Sequence, residues 1–351
     1  MRLETIHPKE LGPAECARWR AHQRANVALR SPYLTPEWAQ LIGAVRDDAR
    51  ICVIEGGEGF FGVQRLSRFA AMGLGAPIAD YQGLIAPPDL RLAPGEICRA
   101  IRVGRIDVAN APVGTLFDPA GEDASWIAEV SGGRDLYDAA LKQRRGEFVR
   151  QTDKKARKLE REFGALEFRA RSTERREFET LIAWKNAQLR RSGQPEIWAR
   201  RWVRNTLEAC FEAGADAFGG LLFTLHARDS LIAAAFCLCS ERVLHFWLLG
   251  HDTAYDAYSP GVQLARRTIH WAAEHGFAEV DFGTGDYQYK RQLSTAQRKL
   301  ARGVIAGASW SAAIRQTQLG LRAHMERLPD PRLAALPGKA MRRLDLMRAL
   351  A

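Results

Sequence analysis

Residues 259–290 read SPGVQLARRTIHWAAEHGFAEVDFGTGDYQYK and predict a turn, a helix, a short strand and a loop. Ser259 suits the N-cap of the helix, Pro260 its first position and Gly276 its end. The apolar residues of the helix recur on one face: Val262, Ala265, Ile269 and Ala272. Backbone N–H groups and a helix N-terminus that point to one place bind phosphate, so this stretch predicts a phosphate site.

The residues beside this turn are suited to group transfer. Gly261 has no side chain, so a phosphate can approach the backbone closely. The preceding apolar strand, 243–249, leads into Gly250-His251, and His251 is a candidate base or else a surface or capping histidine. If this strand splays from its neighbour, its free backbone groups can bind an acyl or amide chain.

Carboxylate, phenol and ammonium groups follow the helix. Asp281 lies on a short strand between apolar residues, where it suits a general base or else a structural group that binds loop N–H groups. Asp286, Tyr289 and Lys290 lie in the next loop and are expected to line the donor site. Asp286 is a second candidate base. Tyr289 is a candidate acid for a leaving thiolate, or else a core aromatic residue.

Length and composition bound the class of protein. With 351 residues, the chain is expected to fold as two domains. The N-terminus shows no signal-peptide core, and the longest apolar run, 231–239, is too short for a membrane span, so we expect a cytoplasmic protein. The six cysteines include no Cys-x-x-Cys and the eight histidines no metal motif, which predicts buried thiols and no metal.

The positive charge is concentrated at the C-terminus. The net charge is +10, and residues 291–351 carry 12 Lys/Arg against 3 Asp/Glu. The segment 339–350 has one apolar face, formed by Met341, Leu344, Met347 and Leu350, with Lys339, Arg342 and Arg343 elsewhere. Such a basic amphipathic helix can rest on an anionic bilayer, or else dock on the protein's own core. A solvated basic face is the third interpretation.

The 259–290 stretch resembles a known family. The order Ser-Pro-Gly, helix, Asp-Phe-Gly-x-Gly-Asp-x-x-Tyr-Lys is similar to that of the CelD/BcsL-type acyltransferases of the GNAT superfamily, which are related to the FemABX transferases. The resemblance covers about residues 30–305, and 281–290 is its most specific part. Further features follow the family's order: Ser31-Pro32 with Trp38, Asp80-Tyr81-Gln82-Gly83, the basic stretch 150–161, and Trp184-Lys185 with Gln188 and Gly193.

The resemblance implies an α/β fold with mixed sheets and two tandem GNAT-like domains. The expected parts are an N-terminal domain, a basic helical connector, a C-terminal domain that binds the acyl donor, and a basic amphipathic helical tail: 1–135, 136–163, 164–305 and 306–351. Acyl-CoA is the implied co-substrate, without a metal. Its diphosphate is expected on the residues that begin the helix: Ser259, Pro260, Gly261, Val262 and Gln263.

The implied activity is acyl-CoA-dependent N-acyl transfer to an amine, or a hydroxyl, of a cell-envelope precursor. The acceptor is a lipid-linked saccharide or a long-chain lipid amine, which attacks the thioester directly with help from a carboxylate base. The candidate acceptor-binding residues are Asp80, Tyr81, Gln82, Trp184, Lys185 and Gln188. Core packing is the alternative for Tyr81 and Trp184, and an exposed lysine is the alternative for Lys185.

Two other functions stay open. The standard GNAT diphosphate-loop pattern, Arg/Gln-x-x-Gly-x-Gly/Ala, is absent from 255–261, which leaves a FemABX-like transferase that uses aminoacyl-tRNA. Basic clusters bind nucleic-acid phosphates, although aromatic residues are sparse within them here. A non-catalytic binding protein of the GNAT fold is the other alternative. For the enzyme, we expect a cytoplasmic location, with peripheral contact to the inner membrane through the tail.

Overall fold

A computed structural model describes residues 1–112, 119–214, 217–325 and 331–350. The chain forms two compact units. The first combines residues 1–29, 33–123 and 299–351, and the second combines residues 30–32 and 124–298.

The strands and helices of the described residues alternate along the chain. The strands are β1 (Leu3–Ile6), β2 (Ala49–Ile54), β3 (Gly59–Gln64), β4 (Ala71–Gly73), β5 (Leu84–Ile85), β6 (Arg105–Pro112), β7 (Gly121–Glu129), β8 (Leu166–Arg169), β9 (Phe218–Ala227), β10 (Ser230–Ser240), β11 (Val243–His251), β12 (Glu279–Asp281) and β13 (Ala296–Ala306). The helices are α1 (Pro13–Ala25), α2 (Pro36–Val45), α3 (Pro94–Ile101), α4 (Arg134–Phe163), α5 (Arg175–Arg191), α6 (Arg201–Glu212), α7 (Pro260–Glu274), α8 (Gln288–Leu293), α9 (Trp310–Met325) and α10 (Pro331–Leu350).

The first unit is built on a mixed sheet with the strand order β1-β2-β3-β4-β6-β13, and β5 pairs with β3. β1, β2 and β3 are antiparallel, whereas β4 and β6 are parallel. β13 returns to this sheet antiparallel to β6, from Leu300↔Pro112 to Ala306↔Arg105. Ile97 and Ile101 of α3 are buried against the sheet, which gives this unit its own core.

The second unit has a sheet with the strand order β7-β12-β11-β10-β9-β8. β9, β10 and β11 are long and antiparallel, and β10 is buried along nearly all its length because it is apolar on both faces. β11 and β12 are parallel, and α7 is the crossover between them.

Helices cover this second sheet. α7 buries Leu264, Ala265, Ile269 and Ala272 in the core, which confirms most of the apolar face predicted from its periodicity. α5 and α6 pack through Phe178 and Phe211, whose rings stack at 4.5 Å between centroids. α4 packs along α7 and buries Leu141 and Leu159 in the same core.

The predicted α/β class with mixed sheets in two tandem units is confirmed. The boundaries of the compact units differ from the predicted parts in two places. Residues 136–163, predicted as a connector, lie in the second unit because α4 shares the core of α7. Residues 306–351, predicted as a separate tail, lie in the first unit, where Arg315 forms ion pairs with Asp107 and Asp345.

Candidate functional site

The parallel pairing of β11 and β12 covers three residue pairs. It runs from Val243↔Glu279 to His245↔Asp281, where β12 ends. β11 continues to His251 and stays paired with β10 on its other edge. Residues 246–251 of β11 therefore extend beyond the parallel pairing. Binding of an acyl or amide chain along this part of β11 stays a prediction.

The start of α7 lies beside the far end of β11. A Cβ placed on Gly261 would be 3.5 Å from Nδ1 of His251 and 3.8 Å from Leu249. Pro260 and Gly261 are buried, whereas Val262 is half-buried. The predicted phosphate turn and the predicted base His251 are thus brought together. Nε2 of His251 is, however, 2.6 Å from Oδ1 of Asp256, so this ring nitrogen already contacts a carboxylate.

Two residues of the turn make contacts that the sequence did not indicate. Ser259 is the N-cap residue, as predicted, but its backbone is left-handed (φ 53°, ψ 53°) and its side chain makes no capping hydrogen bond. A side-chain cap needs an extended backbone, which turns the oxygen toward the helix N–H groups. Gln263 is buried, and its Nε2 donates to the carbonyl oxygen of Tyr258 at 3.1 Å. The roles of both residues in diphosphate binding stay predictions.

Helix α4 supplies groups to this turn that the sequence did not indicate. Nζ of Lys155 donates to Oγ of Ser259 at 2.8 Å, so an ammonium group stands at the start of α7. Phe163, near the end of α4, packs edge-on against Tyr255 and Tyr258 in the turn, with ring centroids 5.0 and 5.6 Å away. The basic stretch therefore positions the turn, and Lys155 adds positive charge where a diphosphate is expected.

Asp281 is fully buried at the end of β12. Its Oδ1 accepts hydrogen bonds from Oγ of Ser125 at 2.5 Å and from the N–H of Gly283 at 2.7 Å. Nη1 of Arg298 lies 3.6 Å from its Oδ2, and Nδ1 of His245 lies 3.6 Å from Oδ1. These contacts correspond to the structural alternative of the sequence, in which the carboxylate holds the following loop.

Asp286 lies on the loop after β12, whereas Tyr289 and Lys290, predicted on the same loop, lie on α8 because residues 288–293 form a helix. Asp286 is exposed, and both its oxygens accept from Nη1 of Arg291 at 2.8 Å. Tyr289 is half-buried, with its ring 6.0 Å from that of Phe282. Lys290 is buried, and its Nζ donates to the carbonyl oxygen of Thr284 at 2.5 Å. Asp286 is thus the predicted carboxylate that a solvent-borne acceptor can reach.

Helix α5 brings the second group of predicted acceptor residues to β11. A Cβ placed on Gly250 would be 3.4 Å from Trp184, so this side chain covers β11 near its C-terminal end. Nζ of Lys185 donates to Oε1 of Gln188 at 2.8 Å. Burial, and then the charge of Lys290, lower the pKa of Lys185 to about 8.

The acceptor residues predicted in the first unit are largely internal. Tyr81 and Gln82 are buried, and Oε1 of Gln82 accepts the N–H of Ala109 at 2.9 Å. Asp80 is half-buried. The extended stretch around them turns back on itself at 73–79, which places the polar Gln82 inside the unit as a backbone partner. A role of these three residues in acceptor binding stays a prediction.

The remaining observations concern the cysteines, possible metal ligands and possible membrane spans of the described residues. All six cysteines are buried free thiols. Within the described ranges, no cluster of His, Cys, Asp or Glu has the makings of a metal site. No helix traced there combines the length and the apolar character needed to cross a membrane.

Comparison with protein families gives one match. Residues 146–291 match the model described as an acetyltransferase (GNAT) domain. This range contains β11, β12, α7 and most of α4, and therefore the parallel strand pair and the turn that is predicted to bind phosphate. The comparison with curated proteins gave no match.

Comparison with solved structures concerns the whole chain. The C-terminal domain of a putative lysylphosphatidylglycerol synthetase from Agrobacterium fabrum superposes with a TM-score of 0.55 at 11% identity, covering 87% of this chain and 96% of that chain. FemX gives 0.54 at 12% identity, with 90% and 99% covered. A conserved protein of unknown function from Bacteroides thetaiotaomicron gives 0.54 at 13% identity, with 84% and 98% covered.

At these identities the likeness concerns the fold alone. It extends over both units, whereas the sequence match is confined to residues 146–291. The finer resemblance to CelD/BcsL-type enzymes stays a prediction. The chain thus has the fold seen in FemX, and its second unit is similar to a GNAT acetyltransferase domain, which supports an acyltransferase.

Proposed function

We propose that the protein is an acyl-CoA-dependent N-acyltransferase whose second unit binds the donor. The observation that carries the proposal is that β11 continues beyond its three-pair parallel contact with β12 and ends beside the start of α7. An amide-containing arm of a thioester donor can lie along residues 246–251 of β11, while its diphosphate meets the helix N-terminus and Lys155. The GNAT domain match over the same residues supports this arrangement.

The proposed chemistry needs few groups. The acceptor amine loses a proton and forms a C–N bond to the thioester carbonyl carbon, and the C–S bond then breaks. A backbone N–H of β11 stabilises the oxyanion, at about 3 kcal/mol for one such donor. Asp286 takes the amine proton, directly or through water, and Tyr289 gives a proton to the leaving thiolate. Asp281 holds the loop that carries Asp286 and leads to Tyr289 on α8.

We further propose an acceptor from the cell envelope. The name of one structure with this fold points to a lipid product, lysylphosphatidylglycerol. That activity belongs to the named protein, and for this chain the support is the shared fold together with the exposed apolar residues of its C-terminal helices. An acceptor amine or hydroxyl group on a lipid or a lipid-linked saccharide agrees with the shared fold and with these exposed apolar residues.

Calorimetric titration of the full chain tests which donor the protein binds. We expect one acyl-CoA, of short or long chain, to bind with micromolar affinity. Desulfo- and dephospho-analogues of this donor should show which of its groups contribute to binding. Transfer RNA should bind weakly. Tight, salt-sensitive binding of tRNA without binding of any acyl-CoA would replace this proposal by the aminoacyl-tRNA alternative.

One observation supports the alternative that the donor is an aminoacyl-tRNA. Four cations of α4 recur every three or four residues and are exposed, which places them on one face of the helix: Arg150, Lys154, Arg157 and Arg161. A basic stripe of this kind binds a phosphate backbone. The same titration therefore decides between the two donors.

Replacing Gly261 by alanine is expected to weaken acyl-CoA binding at least about tenfold, the energy of one charge-assisted hydrogen bond. The new methyl group meets only ordinary contacts, at 3.5 Å or more, so folding should tolerate it. It would, however, stand beside the N–H groups that receive the diphosphate. Calorimetry measures the affinity, with Gly146→Ala on α4 as the control, since a Cβ there meets only Arg150 at 3.7 Å. Equal affinities in both variants would remove the diphosphate from this turn.

The C-terminal helices expose apolar residues, and we propose that they rest on an anionic bilayer. Trp310, Ile314 and Leu321 share one face of α9 and are 62%, 48% and 60% exposed. Leu344 and Met347 on α10 are also exposed, whereas Met341 and Leu350 are half-buried. The side chains of Lys339 and Arg342 lie outside the described part of the chain. The positive charge of this region complements an anionic surface.

Flotation with vesicles of phosphatidylglycerol and phosphatidylcholine tests this contact. Changing both Leu344 and Met347 to glutamate should reduce binding at least about tenfold, because two apolar side chains leave the interface. Leu136→Glu on α4 is the control, since that residue is 66% exposed in the other unit. Binding that is unchanged by the double variant would contradict the proposal.

A further inference from the structure

An aromatic side chain is exposed directly after the proposed base. Tyr287 follows Asp286 in the chain and is 57% exposed. Its ring packs against Gly285, since a Cβ placed on that glycine would be 3.3 Å from Cε2 of Tyr287. Nζ of Lys290 lies 5.4 Å from the centre of the ring. The ring is thus supported by its neighbours, while more than half of the residue stays in contact with solvent.

A second aromatic side chain contacts the same glycine. Nε1 of Trp126, which is half-buried, donates to the carbonyl oxygen of Gly285 at 3.1 Å. The backbone of Gly285 is left-handed (φ 94°), a conformation that other residues adopt only with strain. Because a Cβ at this position would press on Tyr287, only glycine leaves the ring in its present place.

A pair of charged side chains lies beside the Tyr287 ring. Both oxygens of Asp286 accept from Nη1 of Arg291 at 2.8 Å, and both residues are exposed. The backbone N–H of Arg291 donates to the carbonyl oxygen of Tyr287 at 3.3 Å, so these two residues are one helical turn apart. Residues with this spacing are neighbours on a helix surface. Tyr287, Asp286 and Arg291 therefore border one exposed surface.

The chemistry of this surface matches a sugar ring. A pyranose has a face of C–H groups that can pack on an aromatic ring, and hydroxyl groups at its edge that can bind a carboxylate and a guanidinium. An alkyl chain would take water from Asp286 and Arg291 without giving them a hydrogen bond, which costs free energy. A small acyclic amine would leave the ring of Tyr287 uncovered.

We propose that a sugar ring of the acyl acceptor stacks on Tyr287, with its amino group at Asp286 and a neighbouring hydroxyl group at Arg291. The inference rests on the proposed function and narrows it, because the acceptor is then an amino sugar and not a long-chain lipid amine. The exposed pair of Asp286 and Arg291 can open at little cost, since water screens it. Both side chains then make charge-assisted hydrogen bonds to the sugar, which hold its amino group beside the base.

Three amines test the sugar ring in steady-state transfer: glucosamine, cyclohexylamine and ethanolamine. The donor is the acyl-CoA that calorimetry selects. Cyclohexylamine keeps a six-membered ring without hydroxyl groups, and ethanolamine keeps a hydroxyl group without a ring. We expect KM for glucosamine to be at least about tenfold below that for either other amine, because only glucosamine makes both kinds of contact. A KM for cyclohexylamine or ethanolamine as low as that for glucosamine would overturn the proposal.

The variant Tyr287→Leu removes the aromatic ring and keeps an apolar side chain. It should raise KM for glucosamine at least about fivefold, the contribution of one stacked ring, and change KM for ethanolamine less than about twofold. Tyr287→Phe keeps the ring and should restore the KM of the unchanged chain. A fall in kcat for all three amines after Tyr287→Leu would show an effect on the reaction itself and would contradict a stacking role.

Direct binding separates this inference from the choice of donor. Saturation-transfer NMR of glucosamine with the full chain should show contact with the C–H protons of the sugar, and Tyr287→Leu should remove this contact. Phe69→Leu, at an exposed aromatic residue of the first unit, is the matched control and should keep it. Binding of glucosamine that depends on Tyr287, without binding of any acyl-CoA, would refute the proposed function alone. Acyl-CoA binding together with glucosamine contacts that do not depend on Tyr287, or with none, would refute the stacking role alone.

Discussion

Replacing Asp281 by alanine is expected to lower the free energy of unfolding by about 3–5 kcal/mol, the effect of removing one partner from a buried ion pair. The carboxylate is fully buried and accepts from Ser125 and Gly283, with Arg298 beside it. Its loss leaves a hydroxyl and an N–H without their acceptor and removes one of the anions that face the guanidinium. Urea unfolding, followed by tryptophan fluorescence, measures the change.

The control for this prediction is Asp286→Ala. That side chain is exposed and bound only to Arg291 in the contacts described above, so its removal should change the free energy of unfolding by about 0.5 kcal/mol or less. A similar loss of stability in both variants would mean that the buried contacts of Asp281 contribute little, and the loop after β12 would then need another anchor.

Turnover of Asp281→Asn and Asp286→Asn gives the second large effect. At least one rate should fall by about 100-fold, the low end for a lost general base. Asp286 is the residue that we expect to lose turnover with unchanged stability, because it is exposed on the loop that leads into α8. The rate of transfer at saturating acyl-CoA measures this loss.

Asp135→Asn provides the matched control for turnover, since this carboxylate is exposed on the first turn of α4. Its rate should equal that of the unchanged chain. If both Asp281→Asn and Asp286→Asn turn over at near-normal rates, neither carboxylate is the base, and deprotonation of the acceptor must take place in solution before it binds.

Local signals in the sequence predicted the elements well where periodicity was strong. α7 begins at Pro260 and is followed by Gly276 in a left-handed conformation, as the capping residues indicated. The strand predicted at 243–249 lies within β11, and the apolar run 231–239 lies within β10. Their apolar runs predict them because both faces of these strands are covered.

Strands that mix polar and apolar residues were not predicted from the sequence. β7 and β13 carry charged residues along one or both edges, such as Glu122 and Asp123 in β7 and Arg298 and Lys299 in β13. Their pairing partners lie far away in the chain, so no local pattern marks them. Arg298 in particular is drawn inward by Glu279 and Asp281, a use of a charged residue that periodicity cannot reveal.

The sequence alone determined which residue types the site contains, because each of them can be recognised from its neighbours in the chain. They are a glycine at a helix start, carboxylates after a short strand, and lysines around them. The tertiary structure decided which of these groups are used. Ser125 reaches Asp281 across 156 residues, and Lys155 reaches Ser259 across 104. Burial and the partner at each atom fix whether a carboxylate anchors a loop or meets a substrate, and both depend on contacts between segments that are distant in sequence.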